Sequence, residues 1–263
     1  MTSPTPGAHP TGVGSVDSSA GDTAAPGVRS SGSGDATDAA VRVLPRLLLL
    51  TDRRQARRPL PDVVAAAIDG GARAVVLREK DLGYADRRAL AARLAALLAP
   101  VGGTLLLALP TPPATPTGRQ TDDPGRTQSG AGDRHEVHSE WGAHGVHLPA
   151  GAPVPTPRPR LVGRSCHNAT ELAAAEADGV DYVTLSPIFP TPSKPGYGPP
   201  LGLAGLERLT ARTRLPVYAL GGVTVREAAA CLAAGVAGVA VMGEVMRSTD
   251  PAATVAALVK EVA

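Results

Sequence analysis

Aromatic side chains are nearly absent: one Trp, one Phe and four Tyr make up 2% of the 263 residues. A chain so poor in rings offers no platform on which bases stack. A net charge of +2 leaves no basic footprint either, so no nucleic-acid partner is expected. Cysteine is scarce, with only Cys166 and Cys231. That argues against a disulfide scaffold and fits a reducing compartment, the cytoplasm. No run reaches the roughly 18 apolar residues that a membrane span needs. The apolar stretch Leu47–Thr51 is bracketed by Arg46 and Asp52. No charged region followed by an apolar run opens the chain, so no secretory signal is expected.

Glycine (30) and proline (26) are plentiful. The core must therefore be built mostly from Ala, Val and Leu, which suits closely packed helices on a sheet. Residues 1–42 are Gly, Ser, Thr, Pro, Ala and Asp with almost no large apolar side chain. They cannot bury enough surface to offset ordering, and a disordered tail is expected there. From residue 43 to 263 short apolar runs alternate with helical patterns. The runs at Leu47–Leu50, Ala74–Leu77, Thr104–Leu109, Gly145–Leu148, Leu161–Ser165, Tyr182–Leu185, Pro216–Leu220 and Val236–Met242 read as eight strands. Helices are expected over 61–68, 85–98, about 168–178, 203–213, 228–234 and 251–262. Asn168 with Glu171, Thr224 with Glu227, and Asp250 before Pro251 mark helix starts. The stretch at about 110–140 is rich in Pro, Thr, Gly, Asp and Arg, and reads as a flexible insertion after strand three. Within it, a short helical piece is expected over 136–141.

Eight strands alternating with helices predict a (β/α)8 TIM barrel of the α/β class. An open doubly wound sheet is the competitor, but no G-x-G-x-x-G stands at a strand–helix turn. In a barrel the site lies at the C-terminal ends of the strands. Strand two ends in Arg78, Glu79, Lys80 and Asp81. Arg78 and Lys80 are two apart and share a face, so both cations converge on an anionic ligand if that face looks into the mouth. Alternatively, Glu79 and Asp81 neutralise them at the rim. Strand four brings His147, as a ligand contact or a structural hydrogen-bonding group. Strand five brings Ser165, Cys166 and His167. His167 is the best proton shuttle, or else a solvent-facing residue at the helix start. Cys166 alternates away from Ser165 and is expected to pack behind the strand. After strand six, Ser186, Thr191, Ser193 and Lys194 sit in a proline-stiffened loop that suits an oxyanion; the plainer reading is a surface loop. Gly221 and Gly222 after strand seven, with a helix N-terminus after strand eight near Gly243, stand where many barrels hold phosphate. A zinc site among His135, His138, His144 and His147 is not supported, since no cysteine accompanies them in a tight pattern.

Several stretches taken together resemble the thiamine phosphate synthase/TenI family. They are Thr51-Asp52-Arg53, Leu77-Arg78-Glu79-Lys80-Asp81, Gly145-Val146-His147-Leu148 and Gly163-Arg164-Ser165-Cys166-His167. They continue with Ser186 through Gly196, Tyr218-Ala219-Leu220-Gly221-Gly222 and Gly238-Val239-Ala240-Val241-Met242. The family fold is the same barrel, and barrels of this kind often pair, so a homodimer is compatible with the resemblance. The synthase branch joins a hydroxymethylpyrimidine pyrophosphate to a thiazole phosphate with Mg²⁺ and releases pyrophosphate. The TenI-like branch tautomerises a carboxythiazole phosphate. The resemblance puts Arg78 and Lys80 against the anionic substrate, and Lys194 with Thr191 on phosphate or pyrophosphate. It also puts Gly221, Gly222 and Gly243 along the thiazole-phosphate site; His147 and Ser165, from their places at the ends of strands four and five, are expected as further substrate contacts.

The departures set the expected branch. The synthase ends strand three in an Asn-Asp pair; here it reads Ala108-Leu109-Pro110. A second metal-binding Asp follows strand four in the family; here the chain reads Leu148-Pro149-Ala150-Gly151-Ala152. The Gln that precedes the Leu-Arg-Glu-Lys motif is Val76. Pyrophosphate-bound Mg²⁺ commonly uses one or two carboxylates. Their loss predicts a TenI-like tautomerase in thiamine biosynthesis, with His167 as the proton-transfer residue, a phosphorylated thiazole as ligand, no metal and no cofactor. The Mg²⁺-dependent synthase is the alternative, with Asp122, Asp123 or Asp133 as replacement ligands. A non-catalytic phosphate-ligand binding protein is the third reading.

Overall fold

The computed structural model describes residues 1–2, 44–110, 140–191 and 199–263. The tail expected over 1–42 and the insertion expected over 110–140 lie almost wholly outside these residues. The helical piece expected over 136–141 does so too, except for its end at Glu140 and Trp141.

Eight short strands form a closed parallel barrel in sequence order. They are β1 (Leu47–Leu50), β2 (Ala74–Leu77), β3 (Thr104–Ala108), β4 (Gly145–Leu148), β5 (Val162–Cys166), β6 (Tyr182–Leu185), β7 (Val217–Leu220) and β8 (Gly238–Val241). Closure comes from β1 pairing with β8, with Leu48 opposite Ala240. The helices described are α1 (Leu60–Asp69), α2 (Tyr84–Leu98), α3 (Ala169–Ala177), α4 (Gly202–Thr210), α5 (Val225–Ala233), α6 (Gly243–Met246) and α7 (Pro251–Glu261). None of them is long and apolar enough to cross a membrane.

Most of the strands read as continuous apolar runs because both faces are buried, the clearest exception being β5, Val-Gly-Arg-Ser-Cys. Alternation divides them cleanly. Leu47 and Leu49, Val75 and Leu77, Leu105 and Leu107 join the large layer between sheet and helices. Leu48, Leu50, Ala74, Val76, Leu106, Ala108, Tyr182, Tyr218 and Ala240 fill the barrel itself. Small inward residues leave room for two tyrosine rings, Tyr182 and Tyr218, packed edge to face at 5.6 Å. Barrel volume that other chains fill with aliphatic groups is filled here by two of the few aromatics.

All three helix-start signals hold. Asn168 Oδ1 accepts from the Glu171 amide at 2.9 Å. Thr224 and Glu227 close a capping box, and Asp250 Oδ1 accepts from the Ala253 amide at 2.9 Å. Such caps satisfy backbone donors that the first helical turn leaves unpaired. They matter for function because they fix where α3 and α5 begin, at the mouth of the barrel.

Candidate functional site

The floor of the mouth is a polar network around His147, which β4 alternation turns inward and which is buried. Its Nδ1 lies 3.0 Å from Tyr182 Oη and its Nε2 lies 3.0 Å from Ser165 Oγ. Thr184 Oγ1 stands 3.5 Å from the same Nε2. A neutral imidazole has one donor and one acceptor nitrogen, so two hydroxyls can satisfy it. Burial, and then the nearby charges of Lys80 and Arg78, push the His147 pKa down to about 3. His147 is thus held neutral, and it bridges β4, β5 and β6 beneath the site.

The charges of Lys80 and Arg78 both bear on the imidazole. The Arg78 amide donates to the buried Thr51 Oγ1 at 2.9 Å, and its guanidinium lies 4.0 Å from Met242 Sδ on the β8 side. Lys80 is exposed just beyond. Glu79 and Asp81 turn instead to the loop after β1. Glu79 Oε1 accepts from the Arg53 amide at 3.0 Å, and the Arg53 guanidinium grips both carboxylates. Arg54 adds a bond of 2.8 Å to Asp81. Hydrogen bonds from Arg53 hold the Asp81 carboxyl down at about 2. These carboxylates are therefore clamped by Arg53 and Arg54.

His167 follows β5. Its amide donates to Glu171 Oε2 at 2.8 Å, and its Nδ1 sits 2.7 Å from the Ser186 carbonyl oxygen. A carbonyl can only accept, so Nδ1 carries the proton when the ring is neutral and Nε2 bears the lone pair. Cys166 packs behind the strand as expected, and burial pushes its thiol up to about 12.

Next to His167 and Arg78, a cavity of about 310 Å³ opens between the loop after β6, the turn after β7 and the start of α6; its wall includes Ser186, the partner of His167, and Met242, the neighbour of Arg78. Ser186, Thr191, Gly221, Gly222 and Gly243 all line it. Gly221 and Gly222 have φ of 93° and 69°, a region that side-chain-bearing residues rarely enter. At Gly222 a Cβ would fall 2.5 Å from the Pro190 carbonyl oxygen. The turn can therefore lie close against the β6 loop only with glycine there. Lys194 lies outside the described residues, as does the rest of 192–198 in the same loop.

Three residues at or near the mouth are not singled out by the sequence. Tyr182 was read only as a strand residue, although inward alternation and a polar tip were available as signals. Arg87, in the first turn of α2, donates to the Ala108 carbonyl at the end of β3. Arg247 lines the cavity; its spacing of four from Gly243 was the available clue.

The donor set for Mg²⁺ is the poorest part of the site. The end of β3 carries no carboxylate, and neither does the chain from Leu148 to Ala152. Among the described residues no group of three or more His, Cys, Asp or Glu could hold a metal ion. The residues described here do not fit the group, and Asp122, Asp123 and Asp133 lie outside them.

Comparison with known proteins corrects the expected branch. A family model described as thiamine monophosphate synthase matches residues 131–245. The thiamine-phosphate synthase of Albidiferax ferrireducens is 37% identical over 213 residues, 78% of this chain and 86% of its own length. That of Roseiflexus castenholzii is 35% identical over 217 residues, 80% of this chain and 85% of its own. Among solved structures, the thiamine phosphate pyrophosphorylase of Pyrococcus furiosus superposes with a TM-score of 0.66 at 26% identity, covering 82% of this chain and 95% of that one. The expected TenI-like tautomerase is overturned by these relatives, which are synthases by name. Two absent carboxylates are a local change at two loops and do not outweigh likeness over the rest of the chain. With sequence likeness spanning most of both chains, and a barrel that superposes, the chain belongs to the thiamine-phosphate synthase/TenI family.

Proposed function

We propose that the chain is a thiamine-phosphate synthase, joining a hydroxymethylpyrimidine pyrophosphate to a thiazole phosphate with release of pyrophosphate. The observation that carries this reading is the likeness to named synthases over 85% and 86% of their lengths. The layout of the mouth supports it. Glycine turns line the cavity, and Arg78 stands beside it, its guanidinium 4.0 Å from the sulfur of the lining residue Met242, with the Lys80 charge nearby.

The chemistry needs a pyrophosphate to leave with the electron pair of its bond to carbon. Fixed cations beside a leaving anion stabilise the charge as it develops, without reorganising during the step. Arg78 and Lys80 fill that role, with Thr191 and Lys194 contributing from the loop after β6. The thiazole phosphate sits in the glycine cavity, which fixes the ring toward the pyrimidine and makes the encounter effectively unimolecular. Ser165, held by His147, presents a hydroxyl to the substrates. His147 itself stays neutral beneath them and adds no further positive charge. His167 stands between β5 and β6, its Nδ1 on the Ser186 carbonyl.

The test is a condensation assay on the full chain with both substrates, run with Mg²⁺ and with chelator. Thiamine phosphate formation supports the reading. Binding of the thiazole phosphate without product would leave a ligand-binding protein instead.

A further inference from the structure

The geometry points to Arg247 as the residue that charges the phosphate cavity: its guanidinium is the site's own phosphate ligand, and Gly243 is glycine to make room for it.

Residues four apart on a helix lie on one face, and side chains lean back toward the helix N-terminus. Arg247 follows this rule over α6. A Cβ built on Gly243 would fall 2.2 Å from Arg247 Nη1 and 2.6 Å from Cζ. The guanidinium therefore lies flat on the backbone at Gly243, where the cavity wall is. Both residues line that cavity together with the left-handed turn Gly221-Gly222. Glu244 is the other charged residue on the wall.

The arginine is held from behind. Its Nη1 donates to Gln55 Oε1, and Gln55 Nε2 donates in turn to Asp52 Oδ2 at 2.6 Å. Arg57 Nε donates to the Arg247 carbonyl at 2.6 Å, and the Arg57 amide to the Met246 carbonyl at 3.2 Å. The loop after β1 thus fixes both the backbone and the side chain of Arg247. Among the described residues Arg247 enters no ion pair, and one amide oxygen satisfies only part of a five-donor fork. A planar fork anchored at one edge is well suited to take two oxygens of a phosphate monoester at the other. Glycine backbone alone would cradle any small oxyanion; an added fixed cation favours the dianion.

Naming the anion as the thiazole phosphate rests on the proposed synthase reading, whereas binding of phosphate as such does not. The experiment separates them. Calorimetric titration of the full chain uses inorganic phosphate, thiazole phosphate and the unphosphorylated thiazole alcohol. It compares wild type, Arg247→Gln, Arg247→Lys, Gly243→Ala and Gln55→Ala. Losing a charge-assisted bidentate contact should weaken thiazole phosphate binding about 10- to 100-fold in Arg247→Gln. Binding of the alcohol should not change. Arg247→Lys should recover part of the loss, and Gly243→Ala should weaken binding by displacing the guanidinium. In turnover, Arg247→Gln should raise KM for the thiazole phosphate more than it lowers kcat. Wild-type phosphate affinity in Arg247→Gln overturns the proposal. Should that variant fail to fold, unchanged affinity in both Gly243→Ala and Gln55→Ala overturns it. If the wild type condenses its substrates and Arg247→Gln keeps its KM, the synthase stands and the arginine falls. If phosphate binding depends on Arg247 but no condensation occurs, the arginine stands and the synthase falls.

Discussion

The ring of Tyr182 lies against Gly163 of the neighbouring strand, so that a Cβ on Gly163 would fall 2.0 Å from Tyr182 Cζ. The two are paired in register on β5 and β6. The missing side chain on one strand is what lets the phenol reach His147 on the next. Gly163→Ala should therefore disturb the floor of the mouth as well as its stability. Overpacking a full core costs about 1–3 kcal/mol, and a lowered denaturant midpoint should report it. A midpoint equal to wild type would mean that the ring has room to move.

His147 makes stability depend on pH. Its pKa is about 3 in the fold against 6.5 for an ordinary histidine. Between those values the unfolded chain binds a proton that the folded chain refuses, so stability rises with pH there. The contribution is complete above about pH 6.5 and is lost as pH falls toward about 3. It amounts to the order of a few kcal/mol. His147→Gln keeps a donor and an acceptor but does not titrate. Denaturation of both proteins at pH 7, 6, 5 and 4 should show the wild type losing more stability than the variant. Parallel losses would mean that His147 ionises without cost in the fold.

The clamp between the first two strand ends gives a third expectation. Glu79 is only 2% exposed and accepts from the backbone and side chain of Arg53. Glu79→Ala leaves the Arg53 amide without that acceptor, at a cost of about 1–3 kcal/mol. Glu79→Gln, which keeps one acceptor, should cost less. Thermal melts of the two variants measure the difference, and equal melting points would show that the amide finds another partner.

The barrel was legible because most strands carry their own apolar run, and the two buried faces leave no other use for it. Three helix starts were legible because Asn168, Thr224 and Asp250 cap by local chemistry. The tight turn at the cavity could be read from Gly221-Gly222 placed after a strand. What the sequence could not show is pairing across strands or turns. Nothing in the spacing of Gly163 and Tyr182 says that one vacates space for the other. Nor does it say that Arg53 rather than Arg78 takes Glu79 and Asp81. The branch within the family was misjudged because two loop positions are easy to see, while likeness spread over some two hundred residues is not visible in one sequence.

The most direct measurement follows thiamine phosphate and pyrophosphate together after the full chain is mixed with the pyrimidine pyrophosphate and the thiazole phosphate. The synthase reading predicts both products in equal amounts, with no pyrophosphate released when the thiazole phosphate is left out. Absence of thiamine phosphate, with Mg²⁺ present and both substrates bound, would contradict it.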